Sequence, residues 1–580
     1  MAGSILKRRA GVLIPLFTVH SRNSLGIGDF SDLKLIADWC KLTGNSIIQL
    51  LPLNEVGALF CPYDSVSSFA LEPAYLPVSG WLTELRKNFP NDSLYVNYQI
   101  KKEKLRLFKD EFNSAGPRDR SEIEAFRVDN SYWLEDFALY KALKEDQYGK
   151  AWYDWEEKYK NRDKQALKDF ADKSSARIEF EIWLQWMAFR LLKEARADAN
   201  KKGVLLKGDL PILVSRDSAD VWQHPEFFKL DFAAGAPPDM YCAKGQRWGM
   251  PTYNWDNIKA DGYRYLKEKL KYAQNFYDIL RVDHVVGLFR IWSIPYNDPL
   301  ENQGLNGFFD PQDESKWNGQ GRELLKVMQD STSMILCAED LGVIPQCCTD
   351  TLRESGIPGN DVQRWVKDWR VRHDFLSSQE YRELSVATLS THDTTNWKAW
   401  WQCEAGSIDE DWFVRKCGDR GMDHQALRVK LFDPSLSCHG RLRWLDSIDS
   451  VDKLVAVLGE KKEEVADFID VYLNSYQEKD KLWKLLGCPG AMTEEASPDL
   501  LARAIRLTLD SRSVFCIQSI RDWLGLADIF KGDPYQYRVN VPGTISEKNW
   551  SLRLPISLED LLHHKINKQI RKMIADSHRS

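Results

Sequence analysis

No apolar run in this 580-residue chain approaches the roughly 18 residues that a membrane-spanning helix requires. An excess of one charge is also missing. The 79 Lys and Arg stand against 85 Asp and Glu, for a formal net charge of −6, which argues against a nucleic-acid or anionic-membrane partner. The 11 cysteines are odd in number and contain no C-x-x-C pair; Cys347 and Cys348 are adjacent and would not normally bridge. That usage fits thiols in a reducing, cytoplasmic compartment better than a disulfide framework. The 10 histidines show no metal-ligand spacing, and His563–His564 reads as a solvated helix face. No internal repeat, low-complexity segment or appended carbohydrate-binding module is evident. The basic N-terminal residues lead into a short apolar stretch containing Pro15 without a small-residue cleavage pattern, which reads as mature protein rather than a signal peptide.

What the chain does have is aromatic surface: 22 Trp, 21 Tyr and 25 Phe. Most belong to a large core, and a minority are candidates for stacking on the apolar C–H face of a sugar. The opening reads as a β/α unit. An apolar strand, Gly11–Phe17, precedes an amphipathic helix with Leu33, Ile36, Ala37 and Cys40 on one stripe, Ser31 as N-cap and Gly44 as C-cap. A second strand at Ser46–Leu53 makes the crossover parallel and right-handed. Residues 85–178 are rich in Lys, Glu, Asp and aromatics and are expected to form a helical subdomain inserted before the third strand. A long helix at Phe180–Gly203 follows. Further strands are expected in VLLKGD, DILRVD, MILCAE, VATLSTHD and SVFCIQS, with another near Asp361–Val366. A helix capped by Ser557 closes the chain. Eight strands alternating with helices predict a single (β/α)8 TIM barrel with inserted helical subdomains and long loops, spanning residues 1–580.

Four of these strands run into an acid: Asp209, Asp283, Glu339 and Asp393. Carboxylates at the C-terminal ends of parallel strands converge on the catalytic face of a barrel, and paired carboxylates are what glycoside chemistry uses. Arg281 precedes Asp283 by two, so strand alternation puts both side chains on one face, and a guanidinium beside a carboxylate favours its ionised form. A Glu acting as general acid needs a raised pKa, which nearby anions and a sheltered pocket supply. Strand-end acids are also common helix caps, so each alone is ambiguous; their succession is not.

Arg281-Val-Asp283-His284, then Glu339, then His392-Asp393 resembles the α-amylase clan of retaining α-glucoside enzymes. The stretches PYDSVSSFALEPAYL, GDLPILVSRDSADVW, AGAPPDMYCAKGQRWGMPTYNW, CAEDLGVIP and VNVPGTISEKNWSLRLP narrow this to the 4-α-glucanotransferases, or amylomaltases, of glycoside hydrolase family 77. The resemblance runs from about residue 10 to 560. The opening stretch looks closer to the maltose-disproportionating branch, from which the chain differs in having no starch-binding modules and only 56 positions from Asp283 to Glu339. The resemblance implies that Asp283 is the nucleophile, Glu339 the general acid/base and Asp393 the transition-state stabiliser. It implies that Arg281 supports the nucleophile, that His284 and His392 lie near the −1 sugar, that Tyr63 stacks on that glucose, and that Asp209 is the family's strand-three aspartate and a substrate-binding residue. Trp248 then fits an acceptor-side aromatic and Asn540 a donor-side contact. The implied reaction is transfer of α-1,4-glucan segments or glucosyl units among malto-oligosaccharides and α-1,4-glucans (maltose, maltotriose, starch or glycogen chains), with no metal and no cofactor. An α-1,4-glucan hydrolase on the same carboxylates is the alternative. The loops holding GQRWG and Pro62–Tyr75 are candidate lids.

Overall fold

A computed structural model describes residues 6–579 apart from 79–84, 91, 117–118, 240–241 and 243; Met240, Tyr241 and Ala243 of the AGAPPD…QRWG stretch therefore lie outside the described residues. Eight parallel strands form the core: β1 (Arg9–Leu13), β2 (Ile47–Gln49), β3 (Leu205–Leu210), β4 (Ile279–Val282), β5 (Ile335–Ala338), β6 (Gly359–Val362), β7 (Ser385–Thr388) and β8 (Phe515–Ser519). Their order, β5-β4-β3-β2-β1-β8-β7-β6, brings consecutive strands side by side, with β1 returning to β8. Closure between β5 and β6 rests on the Ala338 N–H donating to the Pro358 carbonyl (2.7 Å) rather than on a full ladder. Space is short at this seam: a Cβ on Gly359 would lie 2.3 Å from Asp340 Oδ2. The result is a (β/α)8 barrel.

The strands are short and buried on both faces, as parallel strands sheathed by helices must be. Ile47, Ile48, Leu206, Ile279, Leu280, Ala387 and Phe515 are wholly inaccessible, and each large side chain among them contributes about 1.5–3 kcal/mol by leaving water. The first strand ends earlier than the apolar run suggests, because Pro15 begins a 3-10 turn at Leu16–Thr18. The first helix, Asp32–Thr43, buries Leu33, Ile36, Ala37 and Cys40 and ends on Gly44 in the left-handed conformation (φ 87°). Ser31 does not cap it: Ser31 is already helical and makes no capping bond, while Asp32 accepts from the Asp29 N–H (3.0 Å). The closing helices Leu558–His563, capped by Ser557, and Ile566–Asp576 pack on this first helix, with Trp39 donating to Asn567 (2.9 Å).

Between β2 and β3 lie the helices Gln99–Ala115, Arg120–Asp129, Leu134–Asp146, Lys164–Lys173 and Ser175–Lys201. Their apolar faces, including Phe108, Ile123, Leu134 and Phe137, merge with the barrel core. A separate hydrophobic core forms after β7. There Trp412, Phe413, Leu431, Phe432, Leu442, Trp444, Leu454 and Phe468 cluster within residues 407–476, around a three-stranded antiparallel sheet of Ser407–Asp409, Phe432–Cys438 and Arg441–Trp444. Nothing in the sequence patterning marked this unit. Among the described residues, no helix is long and apolar enough to cross a membrane.

Candidate active site

A cleft of about 2260 Å³ opens at the C-terminal mouth of the barrel, lined by Tyr63, Trp248, Arg281, Asp283, His284, Glu339, His392, Asp393, Asn540 and Trp550. Asp283 follows β4, and Arg281 on that strand reaches it with Nη1 2.8 Å from Oδ1. The same Nη1 lies 2.7 and 2.8 Å from the two oxygens of Asp209. Asp209 is 3% exposed and does not line the cleft. It sits behind Arg281 and Tyr63, whose hydroxyl donates to it at 2.9 Å, and supports the cleft through those two side chains. One buried guanidinium therefore lies between the buried Asp209 and the partly exposed Asp283, so neither buried charge is left unpaired.

Glu339 follows β5. Its Oε2 accepts the His284 backbone N–H (2.9 Å) and its Oε1 that of Leu341 (3.1 Å). Burial pushes its carboxyl up to about 7; Arg281 opposes the rise, and Asp283 and Asp340 add to it. Asp340 faces elsewhere, pairing with Arg382 (2.6 Å) and accepting the Asn360 N–H (2.6 Å) at the β5–β6 seam. His284 holds a left-handed backbone (φ 43°), a strained conformation for a residue with a side chain, and this turn aims its N–H at Glu339. Burial lowers the His284 ring to about 4, so it is neutral at pH 7. Trp248 meets that ring edge-on at 4.9 Å.

Asp393, beyond β7, has a side chain 43% exposed to the cleft. Burial of its surroundings would raise its carboxyl, but His392, Asn540 and Arg281 outweigh that and hold it at about 2. His392 Nε2 lies 3.1 Å from Oδ2, and Asn540 Nδ2 donates to Oδ1 at 2.7 Å. Asn540 thus touches an acid of the cleft directly, a bond between residues 147 apart that the sequence did not disclose. Arg538 adds a bond to the Asp393 carbonyl (3.0 Å), and the buried Arg521 holds the Thr391 carbonyl (2.7 Å); neither was singled out by sequence. Trp550 was also missed. With Tyr63 and His392 it makes an aromatic wall, Tyr63 stacked on His392 at 5.1 Å and Trp550 within 5.8 Å of both. Its signal was present, inside VNVPGTISEKNWSLRLP, but nothing local ties that loop to the barrel mouth.

The stretch Pro62–Tyr75 is no free lid. Phe69, Ala70, Leu71, Ala74 and Tyr75 are buried, and Gln185 both accepts from the Leu71 N–H (2.7 Å) and donates to its carbonyl (3.0 Å). The segment is a fixed wall that delivers Tyr63.

One acid raised, one held low and one paired with arginine, gathered at the mouth of a parallel barrel, define a (β/α)8-barrel enzyme equipped for acid–base and nucleophilic chemistry. The family profile of the 4-alpha-glucanotransferases, glycoside hydrolase family 77, matches residues 14–558, and the chain belongs to that family. A 4-alpha-glucanotransferase of Chlamydia pneumoniae is 32% identical, over 97% of this chain and 95% of that one. Two solved structures share the fold. The amylomaltase from Streptococcus agalactiae in complex with acarbose has 22% identity and a TM-score of 0.70, covering 99% of this chain and 100% of that one. The amylomaltase from Corynebacterium glutamicum has 20% identity and a TM-score of 0.72, covering 100% and 76%.

Proposed function

We propose that this 4-alpha-glucanotransferase moves α-1,4-glucan segments between malto-oligosaccharides by a retaining double displacement, with Asp283 as nucleophile, Glu339 as acid/base and Asp393 as stabiliser of the charge that develops at the anomeric carbon. The observation that carries this is the gathering of three strand-end acids at one barrel mouth, Asp283 on Arg281 Nη1 at 2.8 Å, Glu339 on the N–H groups of His284 and Leu341, and Asp393 between His392 and Asn540. Protonated Glu339 donates to the glycosidic oxygen while Asp283 Oδ attacks the anomeric carbon. The leaving glucan departs with that proton, and a glycosyl ester forms on Asp283. Esterification removes the Asp283 charge, one of the influences that raise Glu339. The Glu339 carboxylate then takes the proton of an acceptor 4-hydroxyl, whose oxygen displaces Asp283 and restores an α-1,4 bond. Transfer outruns hydrolysis because a seated acceptor has an effective concentration that water cannot match. Trp248, beside His284, supports a seat for that acceptor. The hydrolase alternative is disfavoured by the family to which the chain belongs. A reducing, cytoplasmic compartment suits its 11 free thiols.

Incubation with maltotriose alone tests the reading. A ladder of shorter and longer glucans with constant total reducing ends is expected; rising reducing ends would establish hydrolysis instead.

Two further outcomes follow from the electrostatics. The first step needs Glu339 protonated, so kcat/KM for the donor is expected to hold below pH 7 and to fall as pH rises through about 7. Asp393, held at about 2, stays ionised across that range. A pH profile of initial rates reads this limb, and a flat profile from pH 6 to 9 would remove Glu339 from the acid role. Asn540→Ala deletes a hydrogen bond to a charged oxygen and is expected to lower kcat about ten- to a hundredfold, with little change in Tm. Steady-state kinetics beside thermal melts separate that from a loss of fold.

A further inference from the structure

Away from the three acids, three distant chain segments bring sulfur, nitrogen and oxygen donors together at the rim of the cleft. Cys403 lies in the helical turn Trp400–Glu404 after β7. Cys438 ends the strand Phe432–Cys438 of the 407–476 unit, and His439 follows it. The two Sγ atoms and one ring nitrogen of His439 lie within 4.8 Å of one another. A tetrahedral zinc with bonds of about 2.0–2.3 Å sets its ligand atoms about 3.3–3.8 Å apart, so a contraction of about 1 Å assembles the site. Asp533, at the head of the turn Pro534–Tyr537, presents Oδ2 3.4 Å from His439 Nε2. Its Oδ1 is engaged by the Tyr535 N–H at 2.9 Å, which fixes the carboxylate against the imidazole. The His439 ring lies flat on Tyr535 at 3.9 Å and 1°, and its backbone is left-handed (φ 52°). Both restraints hold the imidazole in place before any ligand arrives. Cys403 is buried while Cys438 and His439 are exposed, so the cluster can be reached from solvent.

We propose that Cys403, Cys438 and His439 hold a Zn²⁺ ion that fastens the 407–476 unit to the turn Trp400–Glu404, with Asp533 orienting the His439 ring. Two thiols and an imidazole, with solvent in the fourth position, make a borderline-soft set that selects zinc or cobalt over magnesium and calcium. On binding, each thiol loses its proton to solvent and both sulfurs become thiolates; no electrons change hands. No spacing motif announces the site, because 35 residues separate the cysteines and a further 94 separate His439 from Asp533.

The test is a titration of the reduced, chelator-stripped full chain with CoCl₂, followed by ZnCl₂. One equivalent of cobalt is expected to give a thiolate-to-cobalt charge-transfer band with the visible envelope of tetrahedral cobalt, and one equivalent of zinc to bleach both. Zinc should raise Tm. Cys438→Ser, at an exposed position, should keep the metal-free Tm and lose the charge-transfer intensity and the zinc-dependent rise. Asp533→Asn should weaken cobalt binding at least tenfold while keeping the band. No band at stoichiometric cobalt, or a band unchanged in Cys438→Ser, would overturn the proposal. So would reduced protein that takes up no metal while air oxidation joins Cys403 to Cys438 as a disulfide.

Discussion

Glu339→Gln is expected to lower transfer from maltotriose about 10²–10⁴-fold, the usual contribution of a general acid, while leaving the first chemical step intact for a donor that needs no proton. The substitution preserves shape, but its one amide oxygen can accept only one of the N–H groups that His284 gives to Oε2 and Leu341 to Oε1; the other loses its acceptor at a cost of about 1–3 kcal/mol, which a melt beside the kinetics reads. A maltosyl fluoride donor supplies the discriminating measurement. Fluoride leaves without protonation, so its release should proceed near the wild-type rate until the glycosyl ester accumulates. Turnover should then stall, because the acceptor hydroxyl has lost its base. If fluoride release slows as much as maltotriose transfer, Glu339 is not the acid.

Asp283→Asn should remove activity more completely, on the order of 10⁵-fold, as loss of a nucleophile does. Stability should barely move, and the reason is specific to this site. Arg281 retains both oxygens of Asp209 at 2.7 and 2.8 Å, so its buried charge keeps a partner when Asp283 becomes neutral. Removing Asp209 instead would leave a buried guanidinium with one partly exposed carboxylate, a change that typically costs about 3–5 kcal/mol. Kinetics and melts of Asp283→Asn, with mass spectrometry of wild-type enzyme trapped by a slow fluorosugar donor, decide the matter. A glycosyl adduct on a peptide lacking Asp283 would reassign the nucleophile.

The carboxylates were legible because each closes a short apolar run, and alternation along β4 alone places Arg281 beside Asp283. The barrel was legible for the same reason, strand by strand. β6 was the least clear: Gly359-Asn360-Asp361-Val362 carries one large apolar residue, and it begins two positions before the expected strand at Asp361–Val366. Asp209 sits at a strand end like the other acids, yet the strand pattern does not say how deep a side chain sits, and Arg281 with Tyr63 covers it. Asn540 and Trp550 were hard to place for a different reason. Their partners lie well over a hundred positions away, in loops whose paths no periodicity reports. The 407–476 core escaped notice because its apolar residues are spread over four short helices and three short strands, none long enough to stand out alone.

That detached core has a bearing on how the protein comes apart. A cluster that shares no buried apolar network with the barrel is a cooperative unit of its own, free to open at a lower free energy than the whole. Ser407, Asp409, Trp412, His439 and Arg441 of this unit line the cleft, so opening it dismantles one wall of the glucan path while the strands bearing Asp283 and Glu339 stay folded. Mild heat or denaturant would then silence the enzyme before its barrel melts, and amide protons of 407–476 would exchange ahead of those in β1 to β8. Catalytic lifetime and fold lifetime would then run on two separate clocks.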